Sequence, residues 1–206
     1  MPHSSTSELL ALHAVRLKGF VDSLGAARRF GLDPRVVDEH LLDAQARGWV
    51  TRSGFAGTHG WSLTDAGRAA NEAELARELD ETGARPAVES AHAEFFPLNA
   101  VLTDAATRWQ LRPTPHDPFA ENAHDDPDWD AAVLTDLGHV SGGLRAFEPR
   151  LSGRLERFGG YDDRFAAALV RAHSDPAWVA GVEVDSCHRV WFELHEDLLA
   201  TLGIPR

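Results

Sequence analysis

Residues 47–68, with the sequence RGWVTRSGFAGTHGWSLTDAGR, constrain the fold more than any other stretch of this chain. Side chains alternate in residues 49–52, and a second short run of this kind follows at residues 61–63. The two runs enclose a tip that contains Gly54, Gly57 and Gly60. Two short strands around a glycine-containing loop predict a β-hairpin. Thr64 follows the hairpin, where its hydroxyl can cap a helix, and Asp65 lies near the positive end of that helix.

Three helices are predicted before the hairpin, over residues 8–20, 22–30 and 34–47. Gly31 can end the second helix in a left-handed conformation. Asp33 precedes Pro34, which gives the third helix an N-cap and a proline at its first position. Together with the hairpin and the helix that starts at Thr64, the order is α-α-α-β-β-α. This is the order of a winged helix-turn-helix, in which the hairpin is the wing and the third helix is the recognition helix.

The hairpin and its flanks resemble the MarR and PadR-like bacterial regulators. Their wings often close on a phrase similar to LT-x-x-G, which is Leu63-Thr64-Asp65-Ala66-Gly67 in this chain. The resemblance covers roughly residues 1–70 and implies a winged-helix fold.

The predicted recognition helix has an unusual outward face. With 100° per residue, Val37, Leu41 and Ala44 fall on one side and are expected to pack inward. The opposite face carries Arg35, Val36, Glu39, Leu42, Asp43 and Ala46. A helix that reads the major groove normally presents Arg, Lys, Asn, Gln, Ser or Thr. Because two carboxylates beside phosphates are unfavourable, this face argues against specific base reading.

Basic residues beside the helix can still contact the DNA backbone, although ordinary solvated surface is an equal alternative for them. The predicted DNA-contacting residues are Arg28, Arg29, Arg35, Arg52 and His59. The charge of the chain limits DNA contact to this region: residues 1–70 hold eight Arg or Lys and seven Asp or Glu, whereas residues 71–206 hold twelve and twenty-five. An acidic body repels nucleic acid, so we expect weak DNA binding through residues 1–70 only.

Cysteine usage and hydropathy bear on the compartment. The single cysteine, Cys187, cannot form an internal disulfide, which favours a cytoplasmic protein. No long uninterrupted apolar run is present, so we expect no membrane span. Lys18 is the only lysine among 20 basic residues, and a high Ala and Arg content accompanies it, which is typical of a GC-rich bacterial genome.

The sequence predicts a mainly α fold with two consecutive domains. A winged helix-turn-helix domain with its linker helix takes residues 1–83, and the break at residues 83–86 separates it from an all-α domain at residues 84–206. In the second domain we predict helices at residues 97–110, from 127 onward, at 149–158, at 161–173 and from an Asp185 N-cap to Gly203. A proline-rich acidic loop fills residues 112–126.

The last predicted helix offers a ligand site. Its buried stripe includes Cys187, Trp191 and Leu194, with His188 and His195 at the edge, while Glu193 and Glu196 are expected to point away. The predicted opposing wall lies beside Trp109. The candidate ligand-binding residues are Asn99, Trp109, Gln110, Arg112, Asn122, His124, His188, Trp191 and His195. A cavity with aromatic walls and a few polar groups is typical of small-ligand sites.

Three phrases, PLNAVLTDAATRWQLRP, NAHDDPDWD and VDSCHRVWFELHEDLLATLG, give a second resemblance. They are similar to a helical module found beside, or appended to, phosphoenolpyruvate-utilising dikinase-like proteins of actinobacteria. That resemblance implies a polar pocket shared by most of the candidate residues above together with Asp126.

The residues do not indicate catalysis or metal binding. His188 and His195 are about 10.5 Å apart along a helix axis, too far to share one ion. Cys187 and His188 diverge by about 100° and form no dyad. We therefore expect no catalytic residues, no metal and no cofactor.

Three functions stay open from the sequence. The first is a transcriptional regulator with a helical ligand-sensing or dimerising domain. The second is an interaction module that docks on a phosphoenolpyruvate-utilising or other enzyme. The third is a small enzyme with its site in the helical domain.

Overall fold

The computed structural model describes residues 1–55 and 57–205. It is mainly helical with one two-stranded antiparallel sheet in that part of the chain. The elements are α1 (Ser7–Lys18), α2 (Ser23–Phe30), α3 (Pro34–Ala46), β1 (Val50–Phe55), β2 (Thr58–Leu63), α4 (Asp65–Thr82), α5 (Arg85–Gln110), α6 (Pro127–Ser152), a 3-10 turn (Glu156–Phe158), α7 (Tyr161–Ala172), α8 (Ala177–Ala180) and α9 (Cys187–Leu202). The mainly α class and the predicted α-α-α-β-β-α order of the first six elements are confirmed.

Capping residues set the bounds of the first helices as the sequence predicts. Asp33 accepts a hydrogen bond from the Arg35 backbone N–H at 2.8 Å, and Thr64 Oγ1 accepts one from the Gly67 N–H at 3.0 Å. Gly31 ends α2 with φ at 65°, in the left-handed region that favours glycine. These bonds satisfy backbone donors that a helix end would otherwise leave open.

The hairpin packs its buried residues onto the three preceding helices. β1 and β2 pair in register from Val50 opposite Leu63 to Phe55 opposite Thr58. The predicted tip includes Ala56, which lies outside the described residues. Trp61 is buried and belongs to a core cluster with Val15, Val37, Leu41 and Val50, among others. The inward face predicted for the third helix is thus the face that is buried.

The chain divides into two compact units that interleave along the sequence. The first comprises Met1–Val88, Ser152–Arg157 and the segment that begins at Glu196. The second comprises Glu89–Leu151 and Phe158–His195. The sequence predicts consecutive domains that meet after residue 83, whereas the first unit also takes in two segments from much later in the chain.

Three predicted helix starts are wrong. α5 begins at Arg85 and continues through Pro97, and α6 continues through Pro149 to Ser152, because a proline removes one helical hydrogen bond without always ending the helix. α9 begins at Cys187, and Ser186 Oγ accepts from the Arg189 N–H at 3.2 Å. Asp185 is therefore not its N-cap.

None of the helices in the described ranges combines the length and the apolar character that a membrane span requires.

Gly67 lets α4 approach the hairpin closely. The Trp49 carbonyl oxygen accepts a hydrogen bond from the Thr64 N–H at 3.0 Å, just before α4 begins. A Cβ atom on Gly67 would lie 1.8 Å from that same oxygen. Since the obstacle is backbone and cannot rotate away, only glycine fits this position.

We predict that Gly67→Ala lowers the free energy of unfolding by at least about 2 kcal/mol, because the methyl group forces α4 away from β1. Gly138→Ala in α6 is the matched control. A Cβ there meets no atom within 4 Å, so it is expected to be neutral or to stabilise by about 0.5–1 kcal/mol. Urea unfolding of both variants measures the effects. Equal stability of the two variants would contradict the close approach.

Candidate functional site

The outward face of α3 is exposed as the sequence predicts. Val36 and Leu42 are 37% and 46% exposed. Arg35, Glu39, Asp43 and Ala46 are exposed with them. Neither Glu39 nor Asp43 has an ion pair among the described residues. The face of this helix is therefore open, acidic and partly apolar.

The predicted DNA-contacting residues differ in their environments. Four of them are exposed: Arg28, Arg35, Arg52 and His59. Arg29 is only half-buried, but its guanidinium lies 4.6 Å from the centre of the Phe30 ring and its Nη2 donates to the Arg157 carbonyl at 3.4 Å. Arg29 thus takes part in the interior of the first unit, and the other four are the better placed cations.

The predicted ligand-binding residues form two hydrogen-bonded groups. In the first, Trp191 Nε1 donates to Asn99 Oδ1 at 2.9 Å. The Phe95 ring stacks on both Trp191 and His195, with ring centres 4.4 Å and 4.8 Å apart. The Trp191 indole N–H is thus hydrogen-bonded to Asn99 inside the second unit.

The second group surrounds the loop between α5 and α6. Asn122 is buried and donates to the Trp109 carbonyl and to Asp130 Oδ1, at 3.1 and 3.0 Å. His124 Nδ1 contacts Asp130 Oδ2 at 2.9 Å, and its ring lies 4.6 Å from that of Trp109. Arg112 pairs instead with acidic residues of the loop.

Gln110 and His188 are exposed, and within the part of the chain that the structure describes their side chains bond to neither group. The hydrogen bonds thus divide the predicted pocket in two, because Trp191 bonds to Asn99 while Asn122 and His124 bond to Asp130. Ligand binding by these residues stays a prediction.

Glu193 and Glu196 do not point to solvent, so that expectation is wrong. Glu193 is buried and accepts from Arg164 Nη2 at 2.7 Å. Glu196 is also buried and accepts from Arg16 Nε at 2.8 Å. A helical wheel places both glutamates outside the apolar stripe of the helix. It cannot show that arginines from distant segments pair with them.

Sequence reasoning missed a buried polar cluster in the first unit. His13 lies between Asn71 and Asp197, with Nδ1 3.2 Å from Asn71 Oδ1 and Nε2 3.0 Å from Asp197 Oδ1. All three side chains are fully buried. In the sequence, His13 falls among the leucines of the first helix, and a lone ionisable residue in an apolar stripe is the signal that could have found it.

Arg157 completes this buried cluster. It forms an ion pair with Asp197, donates from Nε to Glu78 at 2.9 Å, and donates from Nη2 to Thr201 Oγ1 at 2.8 Å. The cluster therefore joins α1, α4, the 3-10 turn and α9. Because buried charges are costly unless they are paired, these contacts have to be made together.

The protein environment shifts the pKa values of two buried groups, Asp197 and Cys187. Burial alone would raise the pKa of Asp197, but the charges of Arg157 and His13 outweigh it, so the pKa lies well below its usual range. Burial raises the pKa of the Cys187 thiol to about 12, which leaves it unreactive at neutral pH. The buried His13–Asp197 pair cannot reach a substrate, so its role is structural.

A cleft of about 450 Å³ opens beside α1, α4 and the end of α9, within the first unit. Four charged side chains line it, namely Arg16, Arg68, Glu72 and Glu196.

Across residues 1–55 and 57–205, no group of three or more His, Cys, Asp or Glu is placed to hold a metal ion.

Comparison of the chain with protein-family models, with curated proteins and with solved structures finds no match.

We predict that Asp197→Asn lowers the free energy of unfolding at pH 7 by about 3 kcal/mol, because it removes the carboxylate that neutralises buried Arg157 and His13. Since folding lowers the pKa of Asp197, its contribution is complete above the unfolded-state pKa of about 3.9 and is lost as the pH falls further. Urea unfolding at several pH values measures both effects.

The exposed Asp104→Asn serves as the control and is expected to change stability little. The wild type should lose more stability than Asp197→Asn between about pH 5 and pH 3. Equal acid sensitivity of the two proteins would show that Asp197 is not held ionised by the cluster.

Proposed function

We propose that this chain is a winged-helix protein of the transcriptional-regulator type, with α3 as its recognition helix and the β1–β2 hairpin as its wing. The observation that carries the proposal is the order of the first six elements together with the open outer face of α3. Arg52 and His59 are exposed on the hairpin, where a wing would meet the DNA backbone.

DNA contact in this proposal is electrostatic. Arg28, Arg35 and Arg52 are exposed, and no carboxylate neutralises them in the described part of the chain. Arginine contacts to phosphates give affinity without sequence preference. Glu39 and Asp43 face the same side of α3 and oppose close approach to the major groove. The expected complex is therefore weak and sensitive to salt.

Ligand sensing belongs to the helical residues 84–206 in this proposal. The Trp191–Asn99 group and the Trp109–Asn122–His124 group each combine an aromatic surface with polar atoms. Small-ligand sites are typically lined by aromatic side chains together with a few polar groups of this kind. A ligand would have to replace hydrogen bonds that these residues already make with one another.

A second candidate function is protein docking through α3. The exposed aliphatic side chains of Val36 and Leu42 favour it. So do the exposed carboxylates of Glu39 and Asp43, for which the described part of the chain supplies no ion pair. Apolar side chains edged by charge are common in protein interfaces and rare on a helix that reads bases. The partner in this alternative is an enzyme, and the similarity to the dikinase-associated helical module suggests a phosphoenolpyruvate-utilising one.

We predict that the chain binds duplex DNA with a dissociation constant of about 10⁻⁴–10⁻⁶ M near physiological salt, with a steep loss of affinity as salt rises. The triple variant Arg28→Ala, Arg35→Ala and Arg52→Ala should lower both the affinity and the salt slope, since each arginine releases counterions. Fluorescence anisotropy at several salt concentrations measures both. Arg145→Ala, an exposed change in α6, is the control.

Two results distinguish the candidates. Nanomolar, sequence-specific binding that Arg35→Ala alone abolishes would contradict the backbone-contact account. The double variant Glu39→Lys and Asp43→Lys should raise DNA affinity at least tenfold if α3 faces DNA. If the same variant gains no DNA affinity but loses a protein that the wild type retains in its native host, α3 is a docking surface.

A further inference from the structure

The cleft in the first unit has a rigid cation at its base. Arg16 donates from Nε to Glu196 and from Nη1 to Glu72, both at 2.8 Å. Its side chain is only 6% exposed, so two carboxylates hold the guanidinium in place. The structure gives Nη2 no partner within residues 1–55 and 57–205. Arg16 therefore offers the cleft a fixed donor.

Two further charged side chains of the cleft are accessible. Arg68 is 53% exposed, and its nearest carboxylate oxygen, on Glu196, is 3.8 Å away. Glu72 is 42% exposed, and Arg16 is its one hydrogen-bond partner among the described residues. The two lie four residues apart on α4, so they stand on the same side of the helix. The cleft thus presents an accessible cation and an accessible anion side by side.

An apolar surface completes the cleft. Leu199, near the end of α9, lines it together with Ile204 and Pro205. Leu199 is buried, and Ile204 is 38% exposed. Gly203 turns the chain at this point with φ at 68°, and this turn places Ile204 and Pro205 after the helix.

We propose that this cleft binds a free α-amino acid with an apolar side chain. The carboxylate of the amino acid pairs with Arg68 and Arg16 Nη2, its ammonium group pairs with Glu72, and its side chain covers the apolar surface. Two arginines and two glutamates leave the cleft without net charge, which fits a zwitterion. A ligand with only a carboxylate gives the accessible Glu72 no ammonium partner, and a ligand with only an ammonium group gives the accessible Arg68 no carboxylate partner.

This inference does not depend on DNA binding by α3, and its failure would leave the DNA measurements unaffected. The cleft contains none of the ligand-binding residues predicted from the sequence, although α9 contributes Glu196 and Leu199 to it. The volume of the cleft, about 450 Å³, lies within the range of small-ligand sites.

Isothermal titration of the full chain with L-leucine and L-phenylalanine tests the proposal. Two leucine analogues separate the charges: 4-methylpentanoate lacks the ammonium group, and 3-methylbutylamine lacks the carboxylate. We expect both analogues to bind at least tenfold more weakly than L-leucine, because each lacks one of the two charged groups that the cleft is proposed to pair with. No binding of either amino acid at about 10 mM overturns the proposal, and so does equal binding of 4-methylpentanoate and L-leucine.

Variants of the two accessible side chains locate the binding. Arg68→Gln and Glu72→Gln should each weaken L-leucine binding at least tenfold. Arg68 is 53% exposed, so Arg68→Gln should leave the unfolding temperature unchanged. Glu72→Gln keeps an amide oxygen that can accept from Arg16 Nη1, so it should lower the unfolding temperature only slightly. Arg77→Gln and Glu81→Gln lie on the same helix outside the cleft and should bind L-leucine as the wild type does. Unchanged binding by both Arg68→Gln and Glu72→Gln shows that L-leucine binds elsewhere and overturns the proposal.

Discussion

The ion pair between Asp197 and Arg157 lies where four segments of the first unit meet. His13 of α1, Glu78 of α4 and Thr201 of α9 complete the contacts of this pair. A buried charge without its partner costs several kcal/mol. Displacement of any one of these segments therefore destabilises the packing of the others. α1 and α4 are therefore joined to residues that lie much later in the sequence, 184 positions from His13 to Asp197 and 79 from Glu78 to Arg157.

Local chemistry accounts for the part of the fold that the sequence predicts. The caps at Asp33 and Thr64, the glycine at Gly31 and the apolar face of α3 depend on neighbours within a few residues. The cluster around Asp197 and the burial of Glu193 depend on arginines from distant segments, which a helical wheel does not contain. Prolines misled the placement of helix starts in the second half, because Pro97 and Pro149 lie within helices.

The same distinction applies to the candidate sites. The outer face of α3 could be predicted because exposure follows from helical periodicity alone. The predicted ligand-binding residues come from α5, the loop that follows it and α9. Their hydrogen bonds fall into two separate groups, and this division depends on tertiary packing, which the sequence pattern does not contain. The cleft beside Arg16 escaped prediction because its charged residues come from α1, α4 and α9. In the proposed account, the first unit combines a DNA-facing helix with this cleft.

The central claim is that the buried cluster makes α1, α4 and the end of α9 one cooperative unit. Hydrogen exchange of the full chain, with and without Arg157→Met, measures this most directly. The account predicts that α1, α4 and the last turns of α9 lose protection together in the variant, while the middle of α6 in the second unit keeps its own. If only residues next to position 157 exchange faster, and α1 and α4 are unaffected, the cluster does not hold the unit together.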